Sequence, residues 1–283
     1  MPLTPTAELI GPAARAHTGV GAFNVIMLEH AEALVAGAET ASAPVILQIS
    51  ENAVRYHGAL GPLAAATMAV ARSARVPVAV HLDHATDPAL VAEAVALGFG
   101  SVMYDASAMD YAGNAASTRE IAARCHEHGC FVEAELGEVG GKDGVHAPGA
   151  RTDPHDARAY AETTGVDALA VAVGTSHAML TRDASVDLDL IQRIHAEVPV
   201  PLVLHGSSGV PDADLRRAVE AGITKVNIAT QLNKVFTAAV RERLGAKPEL
   251  VDPRRYLDAA RDAVAAETAR LLGVLRGTPV TSG

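Results

Sequence analysis

The sequence predicts an α/β fold: one (β/α)8 TIM barrel over residues 1–283, with an N-terminal pre-helix and a C-terminal helical extension. Three observations carry this. Eight short runs rich in β-branched residues alternate with longer alanine-rich segments over about 250 residues, the size of one barrel. Several of the alanine-rich segments close on a glycine just before the next run, at Gly98, Gly129, Gly165 and Gly222, as helices do when they end in a left-handed turn. No linker divides the chain, and no glycine-rich dinucleotide fingerprint follows the first run, so an open doubly wound sheet is the weaker alternative.

In order, the pre-helix is expected at Pro5–Ala16 and the first strand at Gly21–Val25. A helix at Glu29–Thr40 leads to a second strand at Val45–Ile49, and one at Leu60–Ser73 to a third at Val78–Leu82. Helices at Pro88–Leu97 and Ser117–His128 precede the strands Ser101–Tyr104 and Phe131–Glu135. The remaining strands fall at Ala168–Val173, Leu202–His205 and Lys225–Ala229, interleaved with helices at Asp156–Thr163, Leu188–Ala196 and Asp212–Ala221. A last helix is expected at Pro253–Leu272. The longest irregular stretches, Glu138–Thr152 and Ala178–Asp187, follow the fifth and sixth strands, where barrel loops cover or bind substrate; the first is glycine-rich and expected to move.

Composition narrows the function. With 49% apolar and 20% charged residues the chain can bury one large core. Its formal net charge is −10, and no basic block or aromatic ladder appears, which argues against a nucleic-acid partner. No apolar run reaches the roughly 18 residues that cross a bilayer, and no secretory leader is evident, so a cytoplasmic location is expected. Cys125 and Cys130 are too few for a disulfide framework and are expected to be reduced core residues.

Side chains at the C-terminal ends of barrel strands converge on one mouth. There the sequence places Asn24, Ser50, His81, Asp83, His84, Asp105, Glu133, Glu135, His177, His205 and Asn227. His84, His177 and His205 end the third, sixth and seventh strands, and three imidazoles with one open position make a catalytic zinc site. Against this stands the ordinary reading of a histidine near a strand end as a satisfied polar residue, and His81 in particular as a core residue. Asp83, beside His84, is placed to exchange a proton with a substrate hydroxyl. Its alternative is a helix N-cap, but Asp87 before Pro88 fills that place more naturally. Small residues in His205–Val210 and Lys225–Thr230 let backbone N–H groups approach an anion, making Gly206, Ser207, Ser208, Ile228, Ala229 and Thr230 a candidate phosphate cradle.

Seven segments in fixed order, Phe23–Val25, His81–Asp87, Glu133–Gly137, Gly174–His177, His205–Pro211, Gly222–Thr230 and Asp252–Tyr256, closely resemble the class II fructose-bisphosphate/tagatose-bisphosphate aldolase family over essentially the whole chain. The resemblance implies an aldehyde-lyase of carbohydrate metabolism and glycolysis. It would be zinc-dependent and reversibly cleave a ketose 1,6-bisphosphate, fructose or tagatose, to dihydroxyacetone phosphate and glyceraldehyde 3-phosphate. It implies that His84, His177 and His205 hold zinc, that Asp83 moves the C4 hydroxyl proton, and that Asn227 orients the dihydroxyacetone phosphate portion. Gly174, Gly206, Ser208, Ala229 and Thr230 match phosphate-binding positions, the first three also a site for Na+ or K+. Asn24, Ser50 and Arg254 match positions serving the other phosphate, Arg254 from a neighbouring subunit of a homodimer or homotetramer. Asp105 and Glu135 match acids near an alternative metal position.

The chain also departs from the family pattern. Ala178 stands where glycine is usual, and Thr181–Arg182 where fructose-type members carry a lysine, so Arg182 is the candidate replacement. The loop after Gly140–Gly141 reads Lys142–Asp143 in place of an acidic pair, leaving Asp143 as candidate for its proton-transfer glutamate. These departures keep open an aldolase joining dihydroxyacetone phosphate to a different aldehyde, and, from another class, a catalytically weak binding subunit.

Overall fold

The computed structural model describes residues 2–136, 151–175, 181–182 and 184–277. Eight parallel strands, each hydrogen-bonded to the next in sequence, close into a barrel with β8 against β1. They are β1 (Val20–Asn24), β2 (Val45–Ser50), β3 (Val78–Ala85), β4 (Ser101–Tyr104), β5 (Phe131–Glu135), β6 (Ala168–Ala170), β7 (Leu202–Leu204) and β8 (Ile223–Ile228). The helices are α1 (Thr6–Ala16), α2 (Leu28–Thr40), α3 (Glu51–His57), α4 (Gly61–Ser73), α5 (Pro88–Ala96), α6 (Tyr111–His126), α7 (Pro154–Thr164), α8 (Leu188–Glu197), α9 (Asp212–Ala221), α10 (Thr230–Ala246) and α11 (Pro253–Leu275).

Alternation along the strands separates two cores. Outward residues such as Phe23, Leu47, Ile49, Val80, Leu82, Val102 and Val132 join Leu34, Leu63, Met68 and Ile121 of the helices in the main hydrophobic cluster. Inward residues are small or polar: Ala22 and Asn24, Gln48 and Ser50, His81 and Asp83, Glu133 and Glu135, Lys225 and Asn227. The apolar members of this inner set, Val20, Ala22, Ile46 and Ala79, pack against Leu9, Ile10 and Ala13 of α1, which closes the lower end of the barrel. Polar side chains are therefore pushed toward the open upper end. Fully burying one such leucine or isoleucine contributes about 1.5–3 kcal/mol.

Helix starts follow local chemistry. Asp87, Asp153 and Asp252 each precede a proline and accept a backbone N–H of the helix they open, α5, α7 and α11. Asp87, not Asp83, is thus the cap of α5. Asp110 likewise caps α6, which begins at Tyr111 and not at the expected Ser117, because Asp110 Oδ1 accepts Gly113 N–H at 2.8 Å. Two helices outside the sequence-based assignment, α3 and α10, follow β2 and β8 directly. β6 and β7 are shorter than expected, ending at Ala170 and Leu204, while β3 runs on to Ala85.

Candidate active site and metal centre

The mouth opens into a cavity of about 490 Å³ lined by Asn24, Gln48, Ser50, Asn52, Arg55, Asp83, His84, Thr86, Asp105, Gly206, Ser207, Ser208, Asn227, Ala229 and Thr230. Consecutive strand residues point to opposite faces, so Asp83 and His84 cannot both face this mouth on a regular strand. The chain solves this locally. Register between β3 and β4 shifts between Leu82 and Ala85, and His84 takes a left-handed backbone with φ +50°. Such a conformation in a non-glycine residue costs roughly 1–3 kcal/mol and is held in place by its surroundings.

Around His84 the donors are sorted by their partners. Its Nδ1 lies 3.0 Å from Asp105 Oδ2, and Asp105 Oδ1 also accepts Ser107 N–H and Oγ–H. His205 Nε2 lies 2.9 Å from Glu133 Oε1. A carboxylate only accepts, so each imidazole carries its proton on that side. The other nitrogens, His84 Nε2 and His205 Nδ1, then face each other at 3.0 Å. At that distance one positive charge bridges the pair, either the second proton of a charged His84 or a cation in its place. Metal bonds of about 2.0–2.1 Å at a tetrahedral angle span roughly 3.3 Å between nitrogens, so the pair fits a divalent cation. Glu135 brings a carboxylate oxygen within 4.8 Å of a ring nitrogen of each histidine.

The surrounding charges favour a cation here. Burial alone resists protonating His84, yet the negative charges of Asp83 and Glu135 and the bond to Asp105 push its pKa up to about 9. Burial, then the nearby Asp105 charge, pushes Glu135 up to about 8. Burial holds His205 below the ordinary imidazole range, despite the bond to Glu133.

Under His84 and His205 runs a buried chain whose lysine the sequence reading did not single out. Lys225 Nζ donates to Glu133 Oε2 at 2.6 Å, with both side chains at most 1% exposed. Burial would raise the Glu133 carboxyl, but the Lys225 charge and the His205 hydrogen bond outweigh it and hold it well below the usual range. His81 stands beside this pair, and burial pushes it down to about 3. Thr6 Oγ1 donates to Ser101 Oγ at 2.7 Å, which leaves the Ser101 proton for His81 Nδ1 at 2.8 Å. His81 is therefore a neutral core residue. The signal for Lys225 was available: it lies two residues before Asn227, on the same face of β8.

Asp83 is held by amides. Asn227 Nδ2 donates to its Oδ1 at 3.4 Å and Asn24 Nδ2 to its Oδ2 at 3.5 Å, while Gln48 Nε2 donates to Asn24 Oδ1 at 2.7 Å. Asn227 lines the cavity, and its buried Oδ1 has no hydrogen-bond partner among the described residues. Gly206, Ser208, Ala229 and Thr230 meet in the cavity wall where α10 begins without a side-chain cap, at the positive end of its dipole. Within its first turn Gln231 N–H donates to Ser208 Oγ at 3.2 Å, and Leu232 and Asn233 N–H donate to Ala229 O at 3.0 and 3.1 Å.

Other expected residues lie elsewhere. Asp105 accepts from His84 Nδ1 and so orients that ring, while the group whose ligand atoms lie within 4.8 Å of one another is His84, Glu135 and His205. Arg182 does not line the cavity; its guanidinium donates to Val210 O and to Asp212 at 2.5 Å, pinning the β7–α9 loop, because the acid it meets lies at the start of α9. Gly174, with φ +109°, sits where a Cβ would come 2.5 Å from Ser185 O, outside the cavity wall. Arg254 is exposed at the start of α11 and clasps Asp252 at 2.8 Å, away from this chain's cavity. His177 and Asp143 lie outside the described residues.

Comparison with known proteins bears on this geometry. The family described as "Fructose-bisphosphate aldolase class-II" matches residues 4–278. A "Probable fructose-bisphosphate aldolase" of Bacillus subtilis (strain 168) is 40% identical, over 93% of this chain and 94% of its own length. A "Fructose-bisphosphate aldolase" of Thermus caldophilus is also 40% identical, over 91% and 92%. Among solved structures, the YdjI aldolase from Escherichia coli K12 superposes with a TM-score of 0.82 at 31% identity, covering 98% of this chain and all of that one.

Proposed function

Because the chain belongs to the class II fructose-bisphosphate aldolase family, we propose that this aldolase uses zinc to cleave, and in reverse to form, the C3–C4 bond of a fructose or tagatose 1,6-bisphosphate. The products are dihydroxyacetone phosphate and glyceraldehyde 3-phosphate. The facing ring nitrogens of His84 and His205, 3.0 Å apart beside Asp83 with a Glu135 carboxylate close by, carry this reading. His84 and His205 would hold the zinc with His177, and Glu135 and Asp105 stand close by. When bound, the zinc supplies a Lewis acid that steadies the negative charge left when the bond breaks.

The chain's own residues do the rest. Asp83 takes the C4 hydroxyl proton as the aldehyde leaves and returns it in condensation. Asn24 and Asn227, which donate to its two oxygens, fix its direction. Asn227, in the cavity wall beside Asp83, orients the dihydroxyacetone phosphate portion. Gly206, Ser208, Ala229 and Thr230 receive that product's phosphate at the start of α10. Gly174, with Gly206 and Ser208, would complete a Na+ or K+ site, and Asp143 the second proton transfer. Asn24 and Ser50 serve the far phosphate, with Arg254 from a neighbouring subunit of a homodimer or homotetramer. A cytoplasmic enzyme fits the two free cysteines.

The test is release of triose phosphate from each bisphosphate by purified protein, before and after chelation and with zinc restored. Absence of turnover with both sugars would rule the proposal out.

A further inference from the structure

The wall of the cavity has one permanently charged cation among the described residues, Arg55 of α3, against the anionic Asp83 and Asp105. Each phosphate ester on a sugar carries a charge of roughly −1.5 to −2 near neutral pH. Backbone N–H groups at β7 and β8 can receive one of them. The other side of the mouth, at β2 and β3, then needs a cation of its own, and Arg55 is the residue there.

It is also held ready. Arg55 Nη2 donates to Glu51 Oε1 at 2.6 Å and Nη1 to Asn52 Oδ1 at 3.0 Å. Glu51 is itself fixed from the other side, accepting Thr86 N–H at 2.6 Å and Thr86 Oγ–H at 3.0 Å. Thr86 lies two residues beyond His84, so Glu51 ties the arginine to the loop that carries Asp83 and His84. Two of five guanidinium N–H groups are occupied this way, and the side chain is 63% exposed toward solvent. The remaining donors form a fork suited to a phosphate.

Resting on the ketose-bisphosphate reading, we infer that Arg55 binds the phosphate of the aldehyde half within the same chain, and that it makes this site select a phosphorylated over an unphosphorylated aldehyde. Glu51 is its positioning residue.

The experiment runs the condensation of dihydroxyacetone phosphate with glyceraldehyde 3-phosphate and with plain glyceraldehyde, on the parent, Arg55→Met and Arg55→Lys. In the parent, kcat/KM favours the phosphorylated acceptor. In Arg55→Met that preference falls about ten- to hundredfold, the worth of charge-assisted hydrogen bonds, through a higher KM for the phosphorylated acceptor. Arg55→Lys keeps the charge without the fork and recovers part of it. Equal losses on both acceptors, or an unchanged preference, would overturn the inference while leaving the bisphosphate reading intact. A parent without preference for the phosphorylated acceptor would remove both.

Discussion

Replacing Lys225 with methionine tests whether the buried chain beneath His84 and His205 is a charge pair or mere packing. The substitution keeps the length of the side chain and removes the ammonium that sits 2.6 Å from Glu133 Oε2 in a site at most 1% exposed. Breaking a buried ion pair from one side typically costs about 3–5 kcal/mol, because the surviving charge stays buried without its partner. Here Glu133 keeps the hydrogen bond from His205 Nε2 at 2.9 Å, which argues for the lower end, near 3 kcal/mol. In a chain of this size that is a fall in Tm of roughly 6–12 °C. Adding Glu133→Gln removes the stranded charge, and the double variant is expected to regain at least half of the loss. Thermal melting followed by circular dichroism, on chelator-treated protein so that bound metal does not add stability, reads both numbers. A single variant melting within about 2 °C of the parent, or a double variant no more stable than the single one, would refute the ion-pair argument.

Three further outcomes follow from the same structure. Asp83→Asn is expected to keep its zinc but lose about 10²–10⁴-fold in kcat, since an amide does not accept the C4 proton; metal analysis beside turnover checks this, and activity within a few-fold of the parent would remove Asp83 from the mechanism. Arg254→Ala is expected to raise KM for the bisphosphate about tenfold while leaving KM for dihydroxyacetone phosphate nearly unchanged, and equal effects on both ligands would instead assign it to holding subunits together. His30 is buried against Phe236, ring centroids 4.8 Å apart, with neither nitrogen hydrogen-bonded among the described residues, and burial pushes its pKa down to about 4. Between that value and the unfolded 6.5 the unfolded chain binds the proton and the folded one does not, so stability is complete above pH 6.5 and declines as pH falls toward 4, by up to roughly 3 kcal/mol. His30→Leu should flatten that acid limb in melts between pH 4 and 7, and an unchanged slope would count against it.

The barrel was legible because its signals are short-range. Asp87–Pro88 and Asp153–Pro154 state in two residues where a helix starts, and an alternating strand states which residues face inward. The mouth residues Asn24, Ser50, Asp83, Asp105 and Asn227 were readable for the same reason, as strand ends. What was not readable depended on partners distant in the chain. Arg182 looked like a free cation in a loop, but Asp212, itself held by Arg270, takes its guanidinium. Asp105, which the resemblance sets near an alternative metal position, accepts from His84 Nδ1, a partner fixed by where that ring points. Lys225 was passed over inside a motif whose asparagine drew attention, although only its pairing with Glu133 makes it tolerable at that depth.

The irregular step at the end of β3 sets how the site responds to motion. Asp83 and His84 are joined by a single peptide unit, so their Cα atoms stay about 3.8 Å apart whatever the barrel does around them. The groups proposed to move the proton and to grip the metal are therefore a covalent pair, and any shift of β3 carries both together. His205 and Glu135 arrive on other strands, and their spacing from His84 depends on the packing of the whole ring. Breathing of the barrel thus loosens the grip on the metal before it disturbs the alignment of acid and ligand.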